Sequence, residues 1–93
     1  MKNLLNSLQV QCQKINLPVK ASYVNWDGFE QVTISVLSDK PLYNGKIIVQ
    51  QRDGKFTVAV GKPEFLATGV DFDYITSNIN NFCDILKQHH DNY

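Results

Sequence analysis

Three dipeptides that favour tight turns divide the middle of this chain: Asp27-Gly28, Asn44-Gly45 and Asp53-Gly54. Such pairs adopt the positive backbone angles of a type I′ turn, which joins the two strands of an antiparallel hairpin. Between them apolar and polar residues alternate, as they do in a strand with one buried face. We therefore predict a four-stranded antiparallel meander, in which Asn44-Gly45 joins two hairpins with a bulge or longer loop near residues 38–46.

Counting outward from the two Asp-Gly turns sets the register of each hairpin, opposing Trp26 to Phe29 in the first and Val49 to Val58 in the second. One face then carries the apolar residues of a core: Val19, Ala21, Tyr23, Val32, Ile34, Val36, Ile47, Val49, Val58 and Val60. The second face carries Lys20, Ser22, Val24, Trp26, Phe29, Gln31, Thr33, Ser35, Ile48, Gln50, Thr57 and Ala59.

An apolar stripe with helical spacing lies on each side of the meander. The members are Leu4, Leu8, Cys12 and Ile15, then Ile75, Ile79, Phe82 and Leu86. The first stripe predicts a helix over about residues 3–16, capped by Asn3 and stopped before Pro18. The second predicts one long final helix capped by Asp71. Residues 61–70 between sheet and helix have no clear period and are predicted to form a crossing loop, with at most a short extended piece.

The predicted fold is therefore α+β, with the order helix, four antiparallel strands, helix (α-β-β-β-β-α) and both helices on one face of the sheet. A chain of 93 residues has room for one core, so we predict a single domain over residues 1–93. Met1–Ser7 is interrupted by polar residues too early for a signal peptide, and no apolar run is long enough to cross a bilayer. We expect a cytoplasmic protein.

The second face of the sheet is the feature that indicates a function. Two helices on one side leave the other side of a small sheet exposed to solvent. Because Trp and other aromatic residues anchor protein interfaces, we predict a partner-binding surface on this face, with Trp26 as its anchor. Its residues are Trp26, Phe29, Val24, Gln31, Ile48 and Gln50. A structural interpretation is equally good: Trp26 and Phe29 form a cross-strand pair that steadies the first hairpin.

Single-stranded nucleic acid is the alternative partner of the same face. Trp26 and Phe29 would stack on bases, with Lys20, Arg52 and Lys55 near the phosphates. Nine basic residues balance nine acidic ones, however, so no overall field attracts a polyanion. We predict that nucleic acid is the less favoured partner.

The order of elements loosely resembles the double-stranded-RNA-binding domain, as do the helix, proline and tyrosine between Leu5 and Tyr23. That family needs a lysine cluster at the start of its last helix to grip phosphates. This chain has Asp71 and Asp73 there. The whole last third is acidic, which makes it a second candidate surface for a protein partner.

The sequence predicts no catalytic site, no metal and no cofactor, because Gly-rich phosphate loops, nucleophile elbows and paired acids are missing. Cys12 and Cys83 are predicted to be buried thiols. His89 and His90 are adjacent on a helix, point in different directions and are predicted to lie at a solvated, frayed end. We expect a non-enzymatic adaptor or inhibitor that binds another protein or a second copy of itself. Phages and mobile elements carry such accessory proteins, anti-CRISPR proteins among them.

Overall fold

The computed structural model describes residues 1–62 and 64–93. A helix comes first, then five strands, then two helices. The elements are α1 (Lys2–Lys14), β1 (Val19–Trp26), β2 (Phe29–Val36), β3 (Lys46–Arg52), β4 (Lys55–Gly61), β5 (Phe65–Val70), α2 (Phe72–Ser77) and α3 (Ile79–Asp91). The strands form one antiparallel sheet in the order β1-β2-β3-β4-β5. The predicted α+β meander is confirmed, with one strand more than predicted.

The two Asp-Gly turns form as predicted. The φ angles are 35° and 79° at Asp27 and Gly28, and 53° and 76° at Asp53 and Gly54. Two consecutive positive angles match the right-handed twist of the strands that they join. Both hairpins therefore have the register that counting from the turns gives, with Trp26 opposite Phe29 and the second hairpin likewise in its predicted pairing.

Asn44-Gly45 does not form a two-residue turn but lies in a longer loop between the two hairpins, as predicted. Neither residue has a positive φ, and β2 and β3 are joined by a loop over residues 37–45. Within this loop the left-handed residue is Leu42, with a φ of 70°. The longer loop that the sequence allowed here is what the chain adopts.

A fifth strand occupies most of the segment predicted as a crossing loop. β5 pairs with β4 through Phe56 and Val70, Val58 and Ala67, and Ala59 and Phe65, with shifts in register between these pairs. A β-bulge adds an unpaired residue to one strand, which breaks the two-residue alternation by which a strand is recognised. Residue 63 of the predicted crossing loop lies outside the described residues.

Helix α1 begins at Lys2 rather than after an Asn3 cap, and Met1 makes no capping side-chain hydrogen bond. It ends earlier than predicted because Asn16 takes the left-handed conformation, with a φ of 61°. The Leu17 N–H donates to the Cys12 carbonyl at 2.9 Å, and the Asn16 N–H donates to the carbonyl of residue 13 at 3.1 Å. This is a Schellman ending, and it buries Leu17.

The final helix is capped by Asp71 as predicted, with the side chain accepting a hydrogen bond from the Tyr74 N–H at 2.9 Å. It is not one helix, because Asn78 leaves helical geometry at φ −117° and ψ 11°. Its side-chain amide donates to the Tyr74 carbonyl at 2.8 Å. Asn side chains compete in this way with the backbone ladder and favour breaks between helices.

One face of the sheet, the covered face, packs against the helices. α1 lies against β1 and β2, and α3 lies against β3 and β4. The fully buried side chains of this core are Leu8, Cys12, Leu17, Val32, Ile34, Ile47, Val49, Val58, Ile75, Phe82, Cys83 and Leu86. None of the helices in the described part of the chain combines the length and the apolar character that spanning a bilayer requires.

Candidate binding face

The opposite face of the sheet, which we call the open face, has no helix against it. Residues on it line up in rows because four strands pair in register. The row nearest the two Asp-Gly turns consists of Trp26, Phe29, Arg52 and Lys55, one residue from each of β1 to β4. Two aromatic rings and two cations therefore stand side by side at one end of the face.

The aromatic pair in this row is ordered before any partner arrives. The rings of Trp26 and Phe29 are stacked, with centroids 5.6 Å apart and planes 16° from parallel. The Arg52 guanidinium lies over the other side of the pair, 5.3 Å from the Phe29 centroid. Such a cation–π contact contributes about 0.5–1 kcal/mol at an exposed site. Trp26 nevertheless remains 63% exposed.

The second row supplies hydrogen-bonding groups. It consists of Val24, Gln31, Gln50 and Thr57. The Gln50 Nε2 donates to the Gln31 Oε1 at 2.9 Å, and the Gln31 Nε2 donates to the Thr33 Oγ1 at 3.1 Å. The first bond joins β3 to β2 and the second runs along β2, so both hold the Gln31 side chain in place beside the aromatic row.

The third row is Ser22, Thr33, Ile48 and Ala59, and β5 adds Phe65 next to Ala59. Ala59 is buried between its two ladder partners, whereas Phe65 is 62% exposed. Phe65 has no part in the predicted site because β5 is not recognisable in the sequence.

Charge on the open face is basic although the whole chain is neutral. Arg52 and Lys55 lie at one end of the face, and Lys20 and Lys46 lie in the fourth row at the other end. No acidic residue occupies an open-face position of β1 to β4, all of which the structure describes. Two acids, Asp27 and Asp53, are in the turns beside the first row.

A shallow depression of about 400 Å³ adjoins the first two rows. It is lined by Phe29, Gln50, Gln51, Arg52, Asp53, Lys55 and Thr57. One aromatic ring, two cations and one carboxylate therefore meet in this depression.

All six predicted site residues lie on the open face. The structure brings Trp26 against Phe29 and Gln31 against Gln50, while Val24 and Ile48 occupy the rows beside them. Arg52 and Lys55 were predicted only for nucleic acid, yet they share a row with the aromatic pair. Counting from the Asp53-Gly54 turn places these two cations opposite each other, but placing them beside Phe29 needs the register between β2 and β3.

The acidic last third is a less available surface than its composition indicates. Asp71 is used as a helix cap, and Asp91 pairs with Lys87 at 3.4 Å. Asp73 and Asp84 are exposed on α2 and α3. Two of the five acids from Glu64 onward, Asp71 and Asp91, therefore already have partners, while Glu64, Asp73 and Asp84 are exposed.

The two histidines are not at a frayed end, so that prediction is wrong. The His90 Nε2 is hydrogen-bonded to the Ser38 Oγ at 2.7 Å, and the His89 Nδ1 to the Tyr43 Oη at 2.8 Å. Lys40 donates from its Nζ to the His90 carbonyl. The group of Ser38, Lys40, Tyr43, His89, His90 and Tyr93, which we call the histidine cluster, ties the 37–45 loop to the end of α3. The residues of the histidine cluster lie too far apart in the sequence for a local pattern to predict their contacts.

Ser38, His90 and Asp91 have the order of groups found in a hydrolase triad, but not its geometry. The His90 Nδ1 lies 3.6 Å from the Asp91 carboxylate, which is beyond hydrogen-bond distance, and that carboxylate is shared with Lys87. The Ser38 Oγ accepts the Lys40 N–H at 2.9 Å, which reduces its strength as a nucleophile. What the structure shows is that the cluster joins the 37–45 loop to α3.

Tyr43 is the centre of the histidine cluster. Its ring contacts His89, His90 and Tyr93, with centroids 5.4, 4.8 and 5.0 Å away. Burial raises the pKa of the Tyr43 hydroxyl above its usual value, and the charge on Asp91 raises this pKa further. The hydroxyl is thus held in its neutral form, which can hydrogen-bond to an imidazole.

Comparison with known protein families, with curated proteins and with solved structures finds no match to this chain.

Proposed function

We propose that this protein is a small non-enzymatic binding module of the cytoplasm, which acts as an adaptor or inhibitor by docking its open face on an acidic surface of another protein. The observation that carries the proposal is the first row, where Trp26 and Phe29 stack next to Arg52 and Lys55. These residues lie on a sheet face that no helix covers.

The first row has the composition and order of an interface hot spot. Trp and Arg are the residue types that most often dominate binding energy. Because the two rings are already stacked, a partner would fix few additional rotamers on binding them. The neighbouring amides of Gln31 and Gln50 offer their remaining donors and acceptors to the same partner.

Charge complementarity favours an acidic partner. Lys20 and Lys46 at one end of the face and Arg52 and Lys55 at the other form a basic frame around the less charged middle rows. Carboxylates opposite this frame would speed association and fix orientation.

The proposal is tested by photo-crosslinking in the protein's own cells, with the crosslinker at position 57 in the middle of the open face. The wild type is compared with Trp26→Ser and with Leu42→Ser, a control that removes an apolar side chain 92% exposed in the 37–45 loop. We expect one protein to crosslink to the wild type and to Leu42→Ser but not to Trp26→Ser. With the purified partner, Trp26→Ser should raise the Kd at least roughly 30-fold.

Equal binding by Trp26→Ser, or crosslinks that appear only from positions on α2 and α3, would contradict the proposal. Sedimentation of the purified chain provides a separate outcome. A wild-type dimer that becomes a monomer on Trp26→Ser would assign the open face to a second copy of the chain instead.

Single-stranded nucleic acid is the second candidate, and the local charge favours it more than the neutral chain as a whole does. Two exposed rings stack on bases, and cations in the same row meet the adjoining phosphates, in many single-strand-binding proteins. Here Arg52 and Lys55 occupy that position relative to Trp26 and Phe29.

Tryptophan fluorescence separates the two candidates because Trp26 is the only tryptophan. Short DNA and RNA strands are titrated at low salt against the wild type, Arg52→Glu and, as a control, Lys14→Glu on the helical side. Quenching that weakens steeply with salt and is lost in Arg52→Glu would support nucleic acid. No quenching at high micromolar strand concentration would exclude it.

A further inference from the structure

The only two cysteines of the chain meet in the core. Cys12 lies on α1 and Cys83 on α3, and their Sγ atoms are 3.5 Å apart. Both side chains are fully buried, and both are free thiols. The open face does not use them, and neither takes part in the histidine cluster.

The surroundings of the two sulfurs differ. The Cys83 thiol donates a hydrogen bond to the Leu8 carbonyl at 3.7 Å. The hydrogen bond between the thiols, followed by burial, raises the pKa of Cys83, whereas the same contact lowers the pKa of Cys12. In the structure Cys12 donates to Cys83 and Cys83 to the Leu8 carbonyl, and the direction of the two pKa shifts favours Cys12 as the thiol that reacts first.

A groove follows the same pair of helices at the surface. It has a volume of about 360 Å³ and is lined by residues including Ser7, Gln11, Ile79 and Asn80. Because residues four apart are neighbours on a helix, Ile79 lies one turn before Cys83. Neither cysteine lines this groove, so a reagent that enters it reaches the sulfurs only when α1 and α3 move apart.

We propose that Cys12 and Cys83 are a site of oxidative modification, at which hydrogen peroxide closes an intramolecular disulfide between α1 and α3. The Cys12 thiolate attacks one peroxide oxygen, the O–O bond breaks, and a protonated hydroxide leaves as water, so that Cys12 becomes a sulfenic acid. The Cys83 sulfur then attacks the Cys12 sulfur, giving up its proton as the sulfenic oxygen leaves as a second water. In total two thiols are oxidised, one peroxide is reduced, and two waters form.

The disulfide would connect residues that are 71 positions apart. Its sulfurs need to approach from 3.5 Å to a bond length of about 2 Å. A bond that closes so long a loop restricts the unfolded chain strongly, so the oxidised protein is expected to melt at a temperature at least roughly 10 °C higher.

The test exposes folded wild type to hydrogen peroxide, removes the oxidant, unfolds the chain and labels the remaining thiols with N-ethylmaleimide. We expect an intact mass lower by two hydrogen atoms, no label, the rise in melting temperature and reversal of all three by dithiothreitol. Cys83→Ala and Cys12→Ala are the matched controls, and neither should gain thermal stability from peroxide.

Two labels on the treated wild type would overturn the proposal. So would oxygen added to the thiols without a disulfide, disulfide-linked dimers in place of the intramolecular bond, or an unchanged melting temperature. Should a cysteine variant fail to fold, the mass, labelling and melting of the wild type before and after dithiothreitol still decide the question.

Discussion

The two ends of the sheet are held in different ways. At the end with the Asp-Gly turns, a Cβ built on Gly28 or Gly54 has nothing within 4 Å, so these glycines serve only the backbone angle. At the other end, a Cβ on Gly45 would lie 2.1 Å from the Tyr43 Oη, and one on Gly61 would lie 3.1 Å from the His89 ring. Gly45 is therefore required for space, whereas Gly61, with a φ of 79°, serves the backbone angle and also lies close to the His89 ring.

This difference indicates at which end of the sheet exposed binding residues cost the fold little stability. The turn end is fixed by local backbone preference and leaves Trp26 and Phe29 in solvent. The opposite end is fixed by contacts between the 37–45 loop and α3 and uses its aromatic residue, Tyr43, for packing. Aromatic side chains at the turn end are therefore free to serve a partner without loss of fold.

Replacing the aromatic residue at each end is the sharpest test of this contrast. Tyr43→Ala removes a half-buried ring together with its hydrogen bond to His89, and we expect a loss of about 2–3 kcal/mol in the free energy of unfolding. Trp26→Ala removes an exposed ring, and we expect about 1 kcal/mol or less. Urea denaturation measures both, and equal losses would show that the two ends are held alike.

Gly45→Ala should cost about 1–3 kcal/mol, because the added methyl group meets the Tyr43 ring. The cost should fall sharply in a Tyr43→Ala background, where the obstructing ring is absent. A double-mutant cycle from denaturation data gives the coupling. Independent, additive effects would contradict a steric requirement for glycine at this position.

Gly54→Ala should cost about 1 kcal/mol, because a left-handed φ disfavours a side chain even in open space. In contrast to Gly45→Ala, its cost should be the same with Tyr43 present or replaced. Gly54→Asn is the matched variant: asparagine tolerates a positive φ, so part of the loss should be recovered. A strong coupling between residues 54 and 43 would contradict the contrast between the two ends of the sheet.

Alkaline pH should weaken the histidine cluster through Tyr43, while Tyr23, whose pKa is raised by its hydrogen bond to Glu30, adds a separate part of the alkaline pH dependence. The pKa of Tyr43 in the folded protein is above the usual 10.0, since burial and then Asp91 disfavour the phenolate. The stabilisation is therefore complete below pH 10 and is lost as pH rises through the folded pKa. Tyr43→Phe should remove this part of the pH dependence, and Asp91→Asn should reduce it, as followed by tyrosinate absorbance and melting. If the stability of Tyr43→Phe depended on pH in the same way as that of the wild type, the assignment of this pH dependence to Tyr43 would be contradicted.

Local geometry explains how much of the fold the sequence predicts. Asp27-Gly28 and Asp53-Gly54 set the register of two hairpins because a two-residue turn allows the strands on either side of it only one pairing. Asn44-Gly45 has the same local signal, but it lies in a longer loop, and its glycine is required because a side chain there would meet Tyr43. Local preference cannot distinguish a glycine needed for its backbone angle from one needed for its lack of a side chain.

The elements that the sequence does not predict are irregular ones. Contacts with residues that are near in space but distant in the sequence determine these irregularities. Bulges conceal β5, and the break at Asn78 divides an otherwise continuous apolar stripe into α2 and α3. The registers of the two hairpins predict which residues lie on the open face. They do not predict the first row as a whole, because the alignment of Phe29 with Arg52 depends on the irregular 37–45 loop between β2 and β3.

The order of the strands has a consequence for how fast the protein folds. Every strand pairs with its neighbour in the chain, so the sheet can grow hairpin by hairpin with short loop closures. The contact of α1 with α3 joins residues 71 apart and carries the largest entropic cost of closure. We expect substitutions between these helices mainly to speed unfolding, and substitutions in the two hairpins mainly to slow folding.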